Sequence, residues 1–124
     1  MSLAAQSSWG TSGKDYQLLR PLESCDGTDL QVLFQAATRW LKGNASSINA
    51  LNVYPVPDGD TGTNMLLTMQ AACQEAASCP GSSAAEVLEA LARGALMGAR
   101  GNSGVILSQF LQGMAEGLEG KETL

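Results

Sequence analysis

Apolar side chains recur along the chain at Leu30, Leu33, Phe34, Ala37, Leu41, Ile48 and Leu51, with polar residues filling the positions between them. A return every three or four residues marks one face of an α-helix, and the simplest burial of that face makes it core. Trp40 falls at the edge of the stripe. Thr28-Asp-Leu-Gln31 has the form of a capping box, so this first helix is expected to open there. A second run, MLLTMQAA from Met65, reads as another helix, with Thr61, Gly62, Thr63 and Asn64 at its amino end. After the breaker Cys79-Pro80-Gly81, Ser83-Ala-Ala-Glu86 is a further capping box. It opens a helix through Val87, Leu88, Leu91, Ala95 and Leu96 that ends near Met97. The last pattern, VILSQFLQGMAEGL, begins near Val105. No segment alternates with the period of a strand, and no repeat is visible. The expected fold class is all-α, built from antiparallel amphipathic helices. Gly94, Ala95, Gly98 and Ala99 are small enough to let two of those helices approach closely.

Ahead of these patterns, Met1 to about Cys25 is rich in Ser, Gly and Gln with scattered apolar positions. Residues 1–25 read as a flexible arm or added leader, with Trp9 and Tyr16 able to dock, and residues 26–124 as one domain. A length of 124 residues suits one core. The net charge of −5 argues against a nucleic-acid partner, which would call for a basic stripe. Cys25, Cys73 and Cys79 are too few and wrongly spaced for a disulfide framework or zinc site. They read as free thiols in a reducing compartment. With no apolar run of membrane-spanning length and no basic-then-apolar leader, the expected location is the cytoplasm without membrane insertion.

Chemistry concentrates in Asn52 to Met65, NVYPVPDGDTGTNM. Asp58 and Asp60 flank Gly59, which lets the backbone bend so that both carboxylates can aim at one point, the outline of a hard-cation site. An Asp-Gly-Asp turn of purely structural meaning is the plain alternative. A calcium loop of the EF-hand kind fails on position, because Thr63 stands where its glycine would be and Met69 where its closing glutamate would be. Helix amino ends attract anions, so Thr61 to Asn64 add a place for phosphate beside the metal. A second glycine-rich segment, Gly98 to Gly104, lies between two helical patterns. Gly101 and Gly104 can expose amides, and Ser103 can cap the next helix or donate to phosphate. Arg100 can balance phosphate charge, cap the preceding helix or face solvent. Neither a Walker loop nor a GxGxxG unit is present.

NVYPVPDGDTGTNM followed by GALMGARGNSGVILSQFLQG resembles the DhaL-type kinase domain, the ATP-binding module of dihydroxyacetone kinases. It is most similar to the branch at the amino end of bacterial fatty acid kinases of the FakA type, over roughly Leu30 to Gly120. The resemblance implies a helical barrel with ATP or ADP and Mg²⁺ at one end. By resemblance Asp58 and Asp60 are the catalytic metal-binding pair. Thr61, Gly62, Thr63 and Asn64 lie near the phosphates, and Gly101, Asn102, Ser103 and Gly104 form a second phosphate-binding segment. The further metal-binding aspartate of dihydroxyacetone kinases falls at Val53, with Asn52 beside it as a neutral candidate ligand. Asp-Thr-Gly in place of Asp-His-Gly favours the fatty acid kinase branch. There a DegV-like fatty-acid-binding protein presents a carboxylate, and the product is an acyl phosphate. The chain has no histidine. A dihydroxyacetone kinase subunit, or a helical nucleotide-binding or interaction module without turnover, are the alternatives. The family's domain runs on past the position of Leu124, so a partial barrel with exposed apolar faces and self-association is expected.

Overall fold

Asp26, not Thr28, opens the first helix. Its Oδ1 accepts the Asp29 N–H at 2.9 Å, while Asp29 Oδ2 accepts the Asp26 N–H at 3.2 Å. Two carboxylates thus satisfy two orphan amides reciprocally, and their charge suits the positive end of the helix dipole. Thr28 with Gln31 would offer the reciprocal bonds but no charge, and the helix starts before it. The computed structural model describes residues 24–52, 59–79 and 83–124. Residues 1–23 with Trp9 and Tyr16, the positions Val53 and Asp58, and the Pro80-Gly81 breaker lie outside them. Among the described residues there are four helices and no strand: α1 (Gly27–Ala50), α2 (Thr61–Ala77), α3 (Ala84–Gly98) and α4 (Gly101–Gly117).

Helix α1 runs antiparallel to α2. Gln31 Nε2 donates to the Ala76 carbonyl near one end of the pair, at 3.2 Å, and Asn49 meets Thr63 near the other. Helices α2 and α3 lie at the centre, with α1 and α4 on their flanks. Val87, Leu88, Leu91 and Ala95 of α3 are wholly buried, joined by Met69, Ala72 and Ala76 of α2, Leu30 of α1, and Leu111 and Ala115 of α4. The stripe expected on α1 is only partly core. Leu30 is buried and Phe34 and Leu41 pack against the core, but Ala37 is exposed and Leu51 is 79% exposed. A flanking helix covers its neighbours along a narrow seam, which leaves the margins of a broad stripe in solvent.

The small residues of α3 do allow close approach. A Cβ at Gly94 would strike the Ala71 carbonyl oxygen and crowd Ala72 Cα, and one at Gly98 would strike the Ala71 side chain. Helix α3 begins as expected at Ser83, whose Oγ accepts the Glu86 N–H at 3.5 Å, but its remaining amides are met by distant backbone rather than by a full capping box. The Ala84 N–H donates to the Glu122 carbonyl at 2.7 Å and the Ala85 N–H to the Lys121 carbonyl at 2.9 Å. The same tail returns to the first helix, where the Leu124 N–H donates to the Cys25 carbonyl at 3.0 Å. On the outer side, α3 and α4 present Leu96, Met97, Val105, Ile106 and Phe110 to solvent. Among the described residues no helix is long and apolar enough to cross a membrane.

Cys25, Cys73 and Cys79 are free thiols. Burial, then the Asp29 and Asp26 carboxylates, push the Cys25 thiol above its ordinary range. Because the folded-state value is raised, the associated stability is present below the unfolded thiol's pKa and is lost as pH rises through the folded one. Iodoacetamide at pH 8 is expected to alkylate Cys25 more slowly in the folded chain than in urea, as read by mass spectrometry of the modified peptide. Equal rates, after correction for urea, would show that the fold does not suppress its thiolate.

Candidate functional site

The carboxyl end of α1, the amino end of α2 and the α3–α4 connection meet at one end of the bundle. Asn52, just past α1, accepts the Asp60 N–H on its Oδ1 at 3.2 Å. Asn49 takes hold of the first turn of α2 twice: Oδ1 accepts the Thr63 N–H at 3.1 Å, and Nδ2 donates to Thr63 Oγ1 at 2.9 Å. Gly62 is buried against α1, so close that a Cβ there would strike the Ala45 carbonyl. Gly59 turns the entering chain with φ +65°, a conformation that glycine adopts without strain. Asp60 is the N-cap residue of α2, and its carbonyl accepts the Asn64 N–H at 2.9 Å. Asp58, the other half of the expected pair, lies outside the described residues.

The second glycine-rich segment is not the loop expected from sequence. Helix α3 continues to Gly98 and α4 begins at Gly101, leaving Ala99 and Arg100 as the link. Gly101, with φ +66°, makes the turn, and the Asn64 carboxamide lies where its Cβ would be. Gly101, Asn102, Ser103 and Gly104 are therefore the first turn of α4, against the low helix propensity of such a run, because packing on α2 decides the matter. Ser103 does not cap this helix. Its Oγ donates to the Thr61 carbonyl at 3.1 Å and so ties the two amino ends together. Asn102 is exposed, and Arg100 is exposed at the N-cap position.

The two helices that meet here differ from the other two. Asp26 caps α1 and Ser83 caps α3, but neither Asp60 nor Arg100 closes its side chain onto the helix it precedes. Among the described residues, the amides of Thr61 and Gly62 and those of Gly101, Asn102 and Ser103 meet no acceptor, while that of Thr63 is taken by Asn49. Two adjacent helix dipoles with open amides favour an anion with several oxygens. The Asp60 carboxylate supplies the hard oxygen that a cation such as Mg²⁺ prefers. Among the described residues, no three Cys, Asp or Glu side chains gather tightly enough to hold a metal alone. Mg²⁺ commonly keeps waters and shares its shell with phosphate, so a carboxylate beside helix amino ends is compatible with it.

Sequence patterns give no sign of Asn49. Its role depends on α1 crossing α2, and no local motif carries that information.

Comparison with known proteins points one way. The model of the DAK2 domain matches residues 55–124. The chain is 45% identical over 103 residues to Protein YloV of Bacillus subtilis, covering 83% of this chain and 19% of that protein. It is 48% identical over 84 residues to uncharacterized proteins of Staphylococcus epidermidis and Staphylococcus aureus, covering 68% of this chain and 15% of each of them. The chain thus spans less than a fifth of the length of these curated relatives.

Proposed function

The chain belongs to the DAK2 domain family, the domain type of dihydroxyacetone and fatty acid kinases, and from that premise we propose that it binds Mg-ATP and transfers the terminal phosphoryl group. The acceptor is presented by a partner protein, and a fatty acid carboxylate held by a DegV-like protein is the favoured case. One observation carries the reading: the open amino ends of α2 and α4 lie side by side, joined through Ser103 and Thr61.

Each group then has a task. Thr61 and Gly62, with Gly101, Asn102 and Ser103, surround the phosphates, their backbone amides meeting the charge without any rearrangement at the moment of reaction, while Asn64 and Gly104, whose amides close onto Asp60 and Arg100, complete the two turns. Thr63, clamped by Asn49, fixes the turn that carries them. Asp60 and Asp58 hold Mg²⁺, and Asn52 supports them by holding the Asp60 backbone and offering a neutral oxygen nearby. When bound, the ion neutralises charge on the transferring phosphoryl group. Arg100, exposed beside the α4 amino end, adds positive charge where polyphosphate arrives. Transfer of this kind depends on positioning and charge more than on covalent help from the protein, which suits a site without histidine.

Calorimetric titration with a non-hydrolysable ATP analogue tests the reading. Binding is expected with Mg²⁺ present and is expected to vanish when EDTA removes it. A chain that takes up no nucleotide in either condition would overturn the proposal for these 124 residues.

A further inference from the structure

We propose that Thr68 is a positioning residue, the joint that holds the first turn of α4 in register with that of α2; its consequence for nucleotide binding rests on the reading above. Thr68 lies in the second turn of α2 and is wholly buried, a polar side chain withdrawn from water. A buried hydroxyl needs partners, and this one uses both of its capacities. Its Oγ1 donates to the Asn64 carbonyl at 2.8 Å and accepts the Arg100 N–H at 3.1 Å.

The first bond is ordinary for a threonine within a helix, since back-bonding to the preceding turn satisfies the hydroxyl proton locally. The second is not local. It reaches across 32 positions to the N-cap residue of α4, whose amide belongs to no helical ladder. Gly104 closes the arrangement, because a Cβ there would strike the same Oγ1. One oxygen is thus shared by the backbone before α4, by α2, and by the closest approach of α4 itself. Asn64, whose carbonyl receives the hydroxyl proton, also lies against Gly101. The Thr68 hydroxyl therefore supports both sides of the turn that presents the Gly101, Asn102 and Ser103 amides.

The joint and a mere packing role diverge on two substitutions. Thr68→Val keeps the shape but leaves the Arg100 N–H without its acceptor; Thr68→Ser keeps the hydroxyl and removes a methyl. Amide hydrogen exchange at Arg100 and Gly104, the bonded amides of this turn, is expected to speed up about tenfold in Thr68→Val and to stay within about twofold of the parent in Thr68→Ser. Affinity for Mg-ADP should follow the same split, about tenfold weaker for valine and near unchanged for serine. Unchanged exchange in Thr68→Val, or exchange in Thr68→Ser as fast as in Thr68→Val, would overturn the joint. Should Thr68→Val fail to fold, Thr68→Ser decides alone: exchange at the parent rate upholds the hydroxyl's role, and exchange about tenfold faster overturns it. If the parent chain takes up no Mg-ADP, the nucleotide reading falls, and the exchange rates still judge the joint.

Discussion

Asp60→Asn is expected to weaken Mg²⁺-dependent nucleotide binding about a hundredfold while leaving the fold intact, an effect of the size that follows removal of a charged group from a preorganised metal or phosphate site. The substitution is isosteric and touches no bond on which α2 depends. The Asp60 N–H still donates to Asn52, and its carbonyl still accepts the Asn64 N–H. Among the described residues the carboxylate does not cap α2, so its loss costs the helix little beyond a favourable charge near the amino end. What changes is the negative oxygen available to a cation. Titration with the ATP analogue in Mg²⁺ reads the affinity, and a thermal melt reads the fold. Parent-like affinity in the variant would remove Asp60 from the metal site, and a melt lowered by several degrees would mean that the residue acts through structure instead. Asp58→Asn is expected to behave alike.

Gly94→Val is expected to cost about 3 kcal/mol of stability or more, a large share of the roughly 5–15 kcal/mol that holds a domain folded. A Cβ at this position meets the backbone of α2 at Ala71 and Ala72 and the Cβ of Glu75, none of which can rotate out of the way. The helices must part, which loosens the packing of Ala72, Ala76 and Leu91 at the centre of the core. The midpoint of urea unfolding measures the change. A variant as stable as the parent would show that α2 and α3 can separate without cost, and that the small residues of α3 are incidental to its packing.

Helix α3 is the most legible part of the chain, because its apolar positions from Ala84 to Ala95 are all buried, and only Leu96 and Met97 near its end turn to solvent against the expected pattern. Helix α1 is less so. Its sequence pattern records which residues tolerate burial, and a flanking helix uses only some of them. The start of α4 is hidden from sequence because Gly101 to Gly104 are loop-forming residues, and what winds them into a helix is α2, a distant segment. The site divides in the same way. Asp60 and the amino end of α2 follow from a short run of residues, as does the resemblance that the DAK2 match supports. The bond from Ser103 to Thr61 and the clamp from Asn49 depend on helix crossings, which one-dimensional spacing does not encode. The true cap of α1 is visible as Asp26-x-x-Asp29 but is overshadowed by the better-known hydroxyl form two residues on.

The tail after α4 has a mechanical consequence. Its carbonyls hold α3 at Ala84 and Ala85, and the Leu124 amide holds the backbone at Cys25, so residues 121–124 and the starts of α1 and α3 share one seam. That seam lies at the pole opposite the joined amino ends of α2 and α4. A pull applied at both ends of residues 25–124 loads the bond between Leu124 and Cys25 first, then peels the tail from α3 one amide at a time. The far pole carries tension only after the seam has opened. Anything tethered at residue 24 or residue 124 therefore tugs on the part of the molecule that can yield without disturbing the two amino ends.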